Sequence, residues 1–71
     1  MGEQDHVYKV IELVGSSGAT LSEAIQNAVS RAAETVRGLR WFEVSHIRGH
    51  IEKGKIGHYQ VSLKLGFTIE D

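Results

Sequence analysis

His58-Tyr59-Gln60-Val61-Ser62-Leu63-Lys64-Leu65-Gly66-Phe67-Thr68-Ile69 is the most regular stretch of this 71-residue chain, and its reading decides the fold. Tyr59, Val61, Leu63, Leu65, Phe67 and Ile69 share one parity; Gln60, Ser62, Lys64, Gly66 and Thr68 share the other. Such alternation places the two sets on opposite faces of a β-strand. Residues 40–51 form a preceding arm, with Lys53-Gly54-Lys55-Ile56-Gly57 as the connection, so the C-terminal half reads as a long hairpin. The first arm changes phase. Phe42 and Val44 are apolar at even positions, Ile47 and Ile51 at odd ones. A bulge near Ser45-His46 would reset the register, and a sheet covered on both faces would serve as well.

Outward from the hairpin, Val7-Tyr8-Lys9-Val10-Ile11-Glu12-Leu13-Val14 is rich in β-branched residues and reads as a first strand, apolar in part on both faces. Gly15-Ser16-Ser17-Gly18-Ala19 follows as a turn-forming stretch. Thr20-Leu21-Ser22-Glu23 has capping-box spacing: the Thr20 hydroxyl accepts from the Glu23 N–H, and the Glu23 carboxylate reaches back. Leu21, Ile25, Ala28, Val29, Ala32 and Val36 then recur at helical steps, with Arg37 and Gly38 as the expected helix end. The order is β-α-β-β. A right-handed crossover through the helix makes the first two strands parallel, and the third fits between them, antiparallel to both. The expected class is therefore α+β, a single domain over residues 1–71. It has a three-stranded antiparallel sheet of order 1-3-2 packed on one helix. One helix covers one face; the other must meet water, a ligand or another subunit.

Composition narrows the function. Eight Lys and Arg against nine Asp and Glu leave a net charge of −1, without the basic excess of a nucleic-acid binder. Cysteine is absent, so neither disulfides nor thiolate metal sites hold the chain together. No apolar run approaches the ~20 residues of a membrane span. The start, Met1-Gly2-Glu3-Gln4-Asp5-His6, lacks a basic-then-apolar leader, so a soluble cytoplasmic protein is expected. A chain of this length buries only ~60% of its unfolded surface. Small domains add disulfides, metals or partner subunits. With the first two unsupported, an oligomer is expected.

Trp41 and Phe42 are adjacent, so one sheet face cannot hold both. Phe42 shares a phase with Val44 and is expected under the helix; Trp41 falls with Glu43 and Ser45. The only tryptophan either fills a subunit interface or offers its π-face to a planar ligand. Gly15 to Ala19 ahead of a helix could cradle a phosphate. It lacks the phosphate-loop and dinucleotide-fold patterns, and a plain capped loop is the simpler reading. His46 and His50, four apart on a strand, stand ~13 Å from each other, too far for one ion. His50 and His58 can approach across the hairpin, yet two ligands are too few for a structural metal site. The serines and carboxylates form no catalytic pattern, so no catalytic residue and no metal ligand is assigned. Arg37, Arg40, Arg48, Lys53 and Lys55 read most simply as a solvated, helix-terminating basic set, with phosphate contact as the alternative.

Taken together, several of these segments resemble the bacterial dodecins. They are Tyr8-Lys9-Val10-Ile11-Glu12-Leu13-Val14-Gly15, the helix from Leu21, Trp41-Phe42-Glu43-Val44, Ile47-Arg48-Gly49-His50-Ile51, His58-Tyr59-Gln60-Val61 and Lys64-Leu65-Gly66-Phe67. The likeness runs from about His6 to Glu70. It implies a protomer assembled into a hollow homododecamer that binds flavin without an established reaction. It also implies that Trp41 stacks on the flavin, Gln60 hydrogen-bonds its pyrimidine edge and Arg48 contacts its tail or phosphate. FMN is the implied flavin, with riboflavin and FAD as the other candidates, and coenzyme A is a further ligand of some members. Storage, sequestration or photoprotection of flavin follows as the function. An FMN-dependent redox enzyme, and a ligand-free structural oligomer with Trp41 at an interface, are the alternatives.

The hairpin geometry adds a consequence. With the connection centred near Gly54 and Lys55, Gln60 is expected opposite Gly49 or His50. Trp41 lies about nine residues further along that arm, ~30 Å in regular strand. Both residues acting on one flavin ring would then come from different chains.

Overall fold

Four elements run in the expected order: β1 (Tyr8–Ser17), α1 (Leu21–Ala33), β2 (Leu39–Glu52) and β3 (Lys55–Thr68). The computed structural model describes residues 6–69, so the readings of residues 1–5 and of Glu70 lie outside the described residues. β3 is central and antiparallel to both neighbours, giving sheet order β1-β3-β2. The alternation of β3 sets what it buries. Val61, Leu63 and Leu65 are closed to solvent and meet Ala24, Ala28 and Ala32 of α1. Ile11, Leu13, Ile25, Val29, Leu39 and Val44 complete the core from its edges. Small residues bring the helix close. A Cβ at Gly15 would sit 2.0 Å from the Ala24 carbonyl oxygen, so β1 passes beneath the helix only as glycine.

The helix starts as read and ends earlier. The Thr20 hydroxyl accepts from the Glu23 N–H at 2.9 Å. The Glu23 carboxylate does not return to Thr20; it accepts from the Ser17 hydroxyl at 2.5 Å, while Ser17 Oγ accepts from the N–H groups of Ala19 and Thr20. Ser17 thus ties the last residue of β1 to the helix start, and the loop is a capped turn. Asn27 adds a second tie by donating to the Ser16 carbonyl at 2.9 Å. The helix ends at Ala33 and not at Arg37. Glu34 N–H bonds the Arg31 carbonyl and Thr35 N–H the Ala32 carbonyl, a tightened final turn. Gly38, at φ 77°, belongs to the approach to β2; its carbonyl accepts from Thr68 N–H at 3.1 Å. Val36 is half-buried, which explains why it fits the helical periodicity from outside the helix.

The hairpin connection is two residues, not five. Lys53 (φ 52°) and Gly54 (φ 76°) both take left-handed conformations, as the tightest twisted hairpin turn requires. Lys55, Ile56 and Gly57 belong to β3. β2 is irregular at three places: between Leu39 and Trp41, between Val44 and His46, and between His50 and Ile51. The second is the expected bulge. Ser45 drops out of the pairing, and its hydroxyl donates to the Ser62 carbonyl at 3.1 Å.

The helix packs on β1 and β3 and leaves the helix-side face of β2 largely uncovered. Phe42 therefore lies on the helix side, opposite Leu65, yet is 53% exposed and not under the helix. The hairpin carries the molecule out to 56 × 21 × 14 Å, with a radius of gyration of 14.8 Å. A compact chain of this size would measure about 11 Å. The sheet is longer than its own helix can cover.

Candidate functional site

The face of the sheet away from the helix carries the expected site residues Trp41, Arg48 and Gln60. Pairing places Tyr8, Val10, Glu12, Val14 and Ser16 of β1 on it, opposite Thr68, Gly66, Lys64, Ser62 and Gln60 of β3. From β2 come Trp41 opposite Gly66, Glu43 opposite Lys64, His46 opposite Ser62, Arg48 opposite Gln60 and His50 opposite His58. The irregularity at Arg40 has a specific effect: Leu39 turns to the core, and Trp41, two residues on, faces the other way.

At one end of this face the Trp41 indole lies directly over Gly66. A Cβ at Gly66 would stand 2.1–2.7 Å from three of its ring atoms, so any side chain there would displace the ring. Tyr8 meets the indole edge-to-face, ring centres 5.9 Å apart at 68°. Trp41 remains 38% exposed, Tyr8 41% and Val10 46%, an apolar shelf that no part of the described chain covers. On the helix side of the same strand ends, a groove lined by Val29, Leu39, Arg40, Trp41, Phe42 and Leu65 holds about 140 Å³. That is below the ~300 Å³ at which ligand pockets begin. Roomier grooves, at the β1–helix junction and the hairpin tip, touch neither Trp41 nor Gln60. One chain supplies a platform and not a pocket.

The other expected site residues stand elsewhere on the same face. Gln60 pairs with Arg48, closer to Trp41 than the expected Gly49 or His50. Arg48 and Gln60 are thus cross-strand neighbours, with Ser16 on the far side of Gln60. Trp41 is six β3 residues away, ~20 Å at strand rise. The structure brings Arg48 and Gln60 together and keeps Trp41 apart from both. Gly66 is the residue that sequence reading passed over. Its signal was present, since glycine inside a regular strand marks a place where another group comes close.

The two histidines of the hairpin do approach: the His50 and His58 rings stack at 5.3 Å, 12° from parallel. Among the described residues no group of three or more His, Asp or Glu side chains is placed to hold a metal ion. None of the described helices is long and apolar enough to cross a membrane.

Comparison with known proteins agrees with this architecture. Residues 7–70 match the family model for dodecin. The chain is 51% identical over 65 residues to a dodecin of Thermus thermophilus, covering 92% of this chain and 94% of that one. Among solved structures, dodecin from Streptomyces coelicolor superposes with a TM-score of 0.88 at 51% identity, over 94% of this chain and 96% of that one. Dodecin from Streptomyces davaonensis gives 0.88 at 40% identity, over 94% and 98%. By sequence over nearly its whole length and by fold, the chain belongs to the dodecin family.

Proposed function

We propose that this protein binds flavin, FMN first among the candidates, in pockets formed between its own subunits, and thereby stores, sequesters or photoprotects it. The carrying observation is the shelf of Trp41 on Gly66, an indole backed by main chain on a sheet face that one chain leaves open. An electron-poor ring system stacks well on an electron-rich indole. Close contact with Trp41 also provides a short path for quenching the excited ring. When bound, flavin supplies redox and light-absorbing chemistry; the residues around it here bind and orient. The Gln60 amide carries both donor and acceptor, which matches the alternating carbonyls and N–H of the pyrimidine edge. Arg48 beside it offers a fixed positive fork to a phosphate.

The spacing supports assembly. Trp41 and Gln60 of one chain are ~20 Å apart by register, farther than one three-ring ligand reaches. A ring touching both takes Trp41 from one chain and Gln60 from another. The uncovered Val10, Val14, Phe42, Ile47, Ile51 and Ile56, 46–72% exposed, supply apolar surface for such contacts. The family resemblance sets the expected number at twelve chains around a hollow centre, and it is also the ground for coenzyme A as a further ligand.

A fluorescence titration of riboflavin, FMN and FAD against the purified protein tests the reading. Saturable quenching of flavin emission is the expected result. Unquenched emission at micromolar protein would leave Trp41 an interface residue. Turnover of bound FMN with a reduced nicotinamide would favour the enzymatic alternative.

A further inference from the structure

Beyond Arg48 and Gln60, the next cross-strand row on the same face is His50 opposite His58. That row lies about 7 Å along the strands from the first, two residues at strand rise. Both imidazoles therefore flank the position where the proposed function puts the phosphate-bearing end of the ligand. We propose that His50 and His58 extend the Arg48 contact into a proton-dependent phosphate site, so that protonation favours a phosphorylated flavin over riboflavin. The inference rests on the flavin-binding reading.

The surroundings favour anions at this end. Arg48 and Glu52 stand on β2, Lys55 and Gln60 on β3, and Lys53 in the turn. β1 stops opposite Tyr59, so it places no charge over the pair. Glu52 is the one carboxylate. Its Oε2 is 3.6 Å from His50 Nε2, and its Oε1 lies in the space that a Cβ at Gly57 would approach to 3.4 Å. The carboxylate can balance one imidazolium. The parallel stack accommodates one charged and one neutral ring, whereas two charged rings repel unless an anion joins them. A phosphate supplies that anion. Histidine is the side chain that ordinarily changes charge between pH 5 and 8, and a phosphate is the anion that the two stacked rings would share when charged.

The sign of the pH dependence separates this site from a simple Arg48 contact. A phosphomonoester gains its second charge near pH 6. Arg48 alone therefore holds FMN better as pH rises. Protonated His50 and His58 act oppositely, strengthening FMN binding as pH falls. Riboflavin has no phosphate and should respond to neither.

The test titrates FMN and riboflavin at pH 6 and pH 8 against three proteins: the wild type, the His50→Gln/His58→Gln double variant, and His58→Arg. Scattering and circular dichroism on each confirm an unchanged assembly. In the wild type the FMN-to-riboflavin affinity ratio should be about threefold or more higher at pH 6 than at pH 8, the scale of one or two exposed charge contacts. In the double variant the trend should vanish or reverse. His58→Arg keeps its charge and should hold the high ratio at pH 8, which also guards against a double variant that fails to assemble. The same pH trend in wild type and double variant, with FMN bound by both, would overturn this inference and leave flavin binding intact. No binding of either flavin at any pH would overturn the flavin reading and this inference with it.

Discussion

The two faces of the sheet are built from alternate residues of the same strands, yet they differ in how complete they are. On the helix side, Val61, Leu63 and Leu65 meet three alanines of α1 and are closed to solvent. On the other side, Trp41, Tyr8, Val10 and Val14 are 38–63% exposed. Beneath the helix the first face finishes its packing within one chain, although over β2 it stays open, with Phe42 and Ile47 53% and 59% exposed. The second, with no helix over it, can finish only against a ligand or another copy. Buried contacts determine the protomer's stability, and the open face is free to carry recognition. Substitutions on the two faces should therefore move different observables.

The largest effect belongs to the closed face. Leu63→Ala removes a side chain that is 0% exposed and should cost about 2–5 kcal/mol, lost transfer energy plus a cavity. Denaturant unfolding of the purified protein checks it. A loss below about 1 kcal/mol would mean the seam between α1 and β3 can collapse, and that the faces are less distinct than their burial suggests.

The closed face was also the more legible one. The parity of β3 puts Val61, Leu63 and Leu65 on one face with Tyr59, Phe67 and Ile69, and the helix start follows from Thr20 and Glu23. What failed was local geometry with no side-chain signature. Gly38 suits a left-handed helix stop, Arg37 the dipole and Val36 the apolar stripe, so all three point to a longer helix, but the chain uses that glycine's positive φ to enter β2. The turn was read too long because its first position is Lys53, where asparagine or aspartate would have announced the left-handed pair. On the open face, the roles expected of Trp41, Gln60 and Arg48 rest on family resemblance alone, and periodicity supplies only the face. That Trp41 sits on Gly66 depends on an irregularity at Arg40 that alternation cannot show. Gly66 was visible only as a glycine in a strand.

The next effect belongs to the open face. Trp41→Ala should weaken flavin binding by about 1–3 kcal/mol for each stacked face, judged by base–aromatic stacking. It should leave the size of the assembly unchanged. Flavin fluorescence and light scattering read the two separately. Unchanged FMN affinity with a broken assembly would reverse the assignment and make the tryptophan a structural seal.

On the closed side a milder change acts at the helix cap. Thr20→Ala deletes the helix cap and should cost about 1 kcal/mol of stability. Its flavin affinity should match the wild type, since Thr20 stands at the helix start, away from the open face. A parallel loss of FMN binding would show that the two faces are coupled through the helix.

The smallest expected effect tests the shelf itself. Gly66→Ala places a Cβ against the indole and must push the ring outward. The tryptophan is displaced and not lost, so FMN affinity should fall by less than in Trp41→Ala, with a shift in tryptophan emission. Full affinity together with unchanged emission would show that the ring does not depend on a bare backbone beneath it.

In the proposed function the open faces of different chains together make the pocket, with Trp41 and Gln60 acting on one ring from separate chains. The most direct measurement mixes Trp41→Ala and Gln60→Ala protomers after dissociating both, reassembles them and titrates FMN. A shared pocket predicts that some reassembled sites regain both residues, so the mixture binds more tightly held FMN than either parent. Binding no better than the average of the two parents would place both residues in one chain's pocket and contradict a pocket shared between chains.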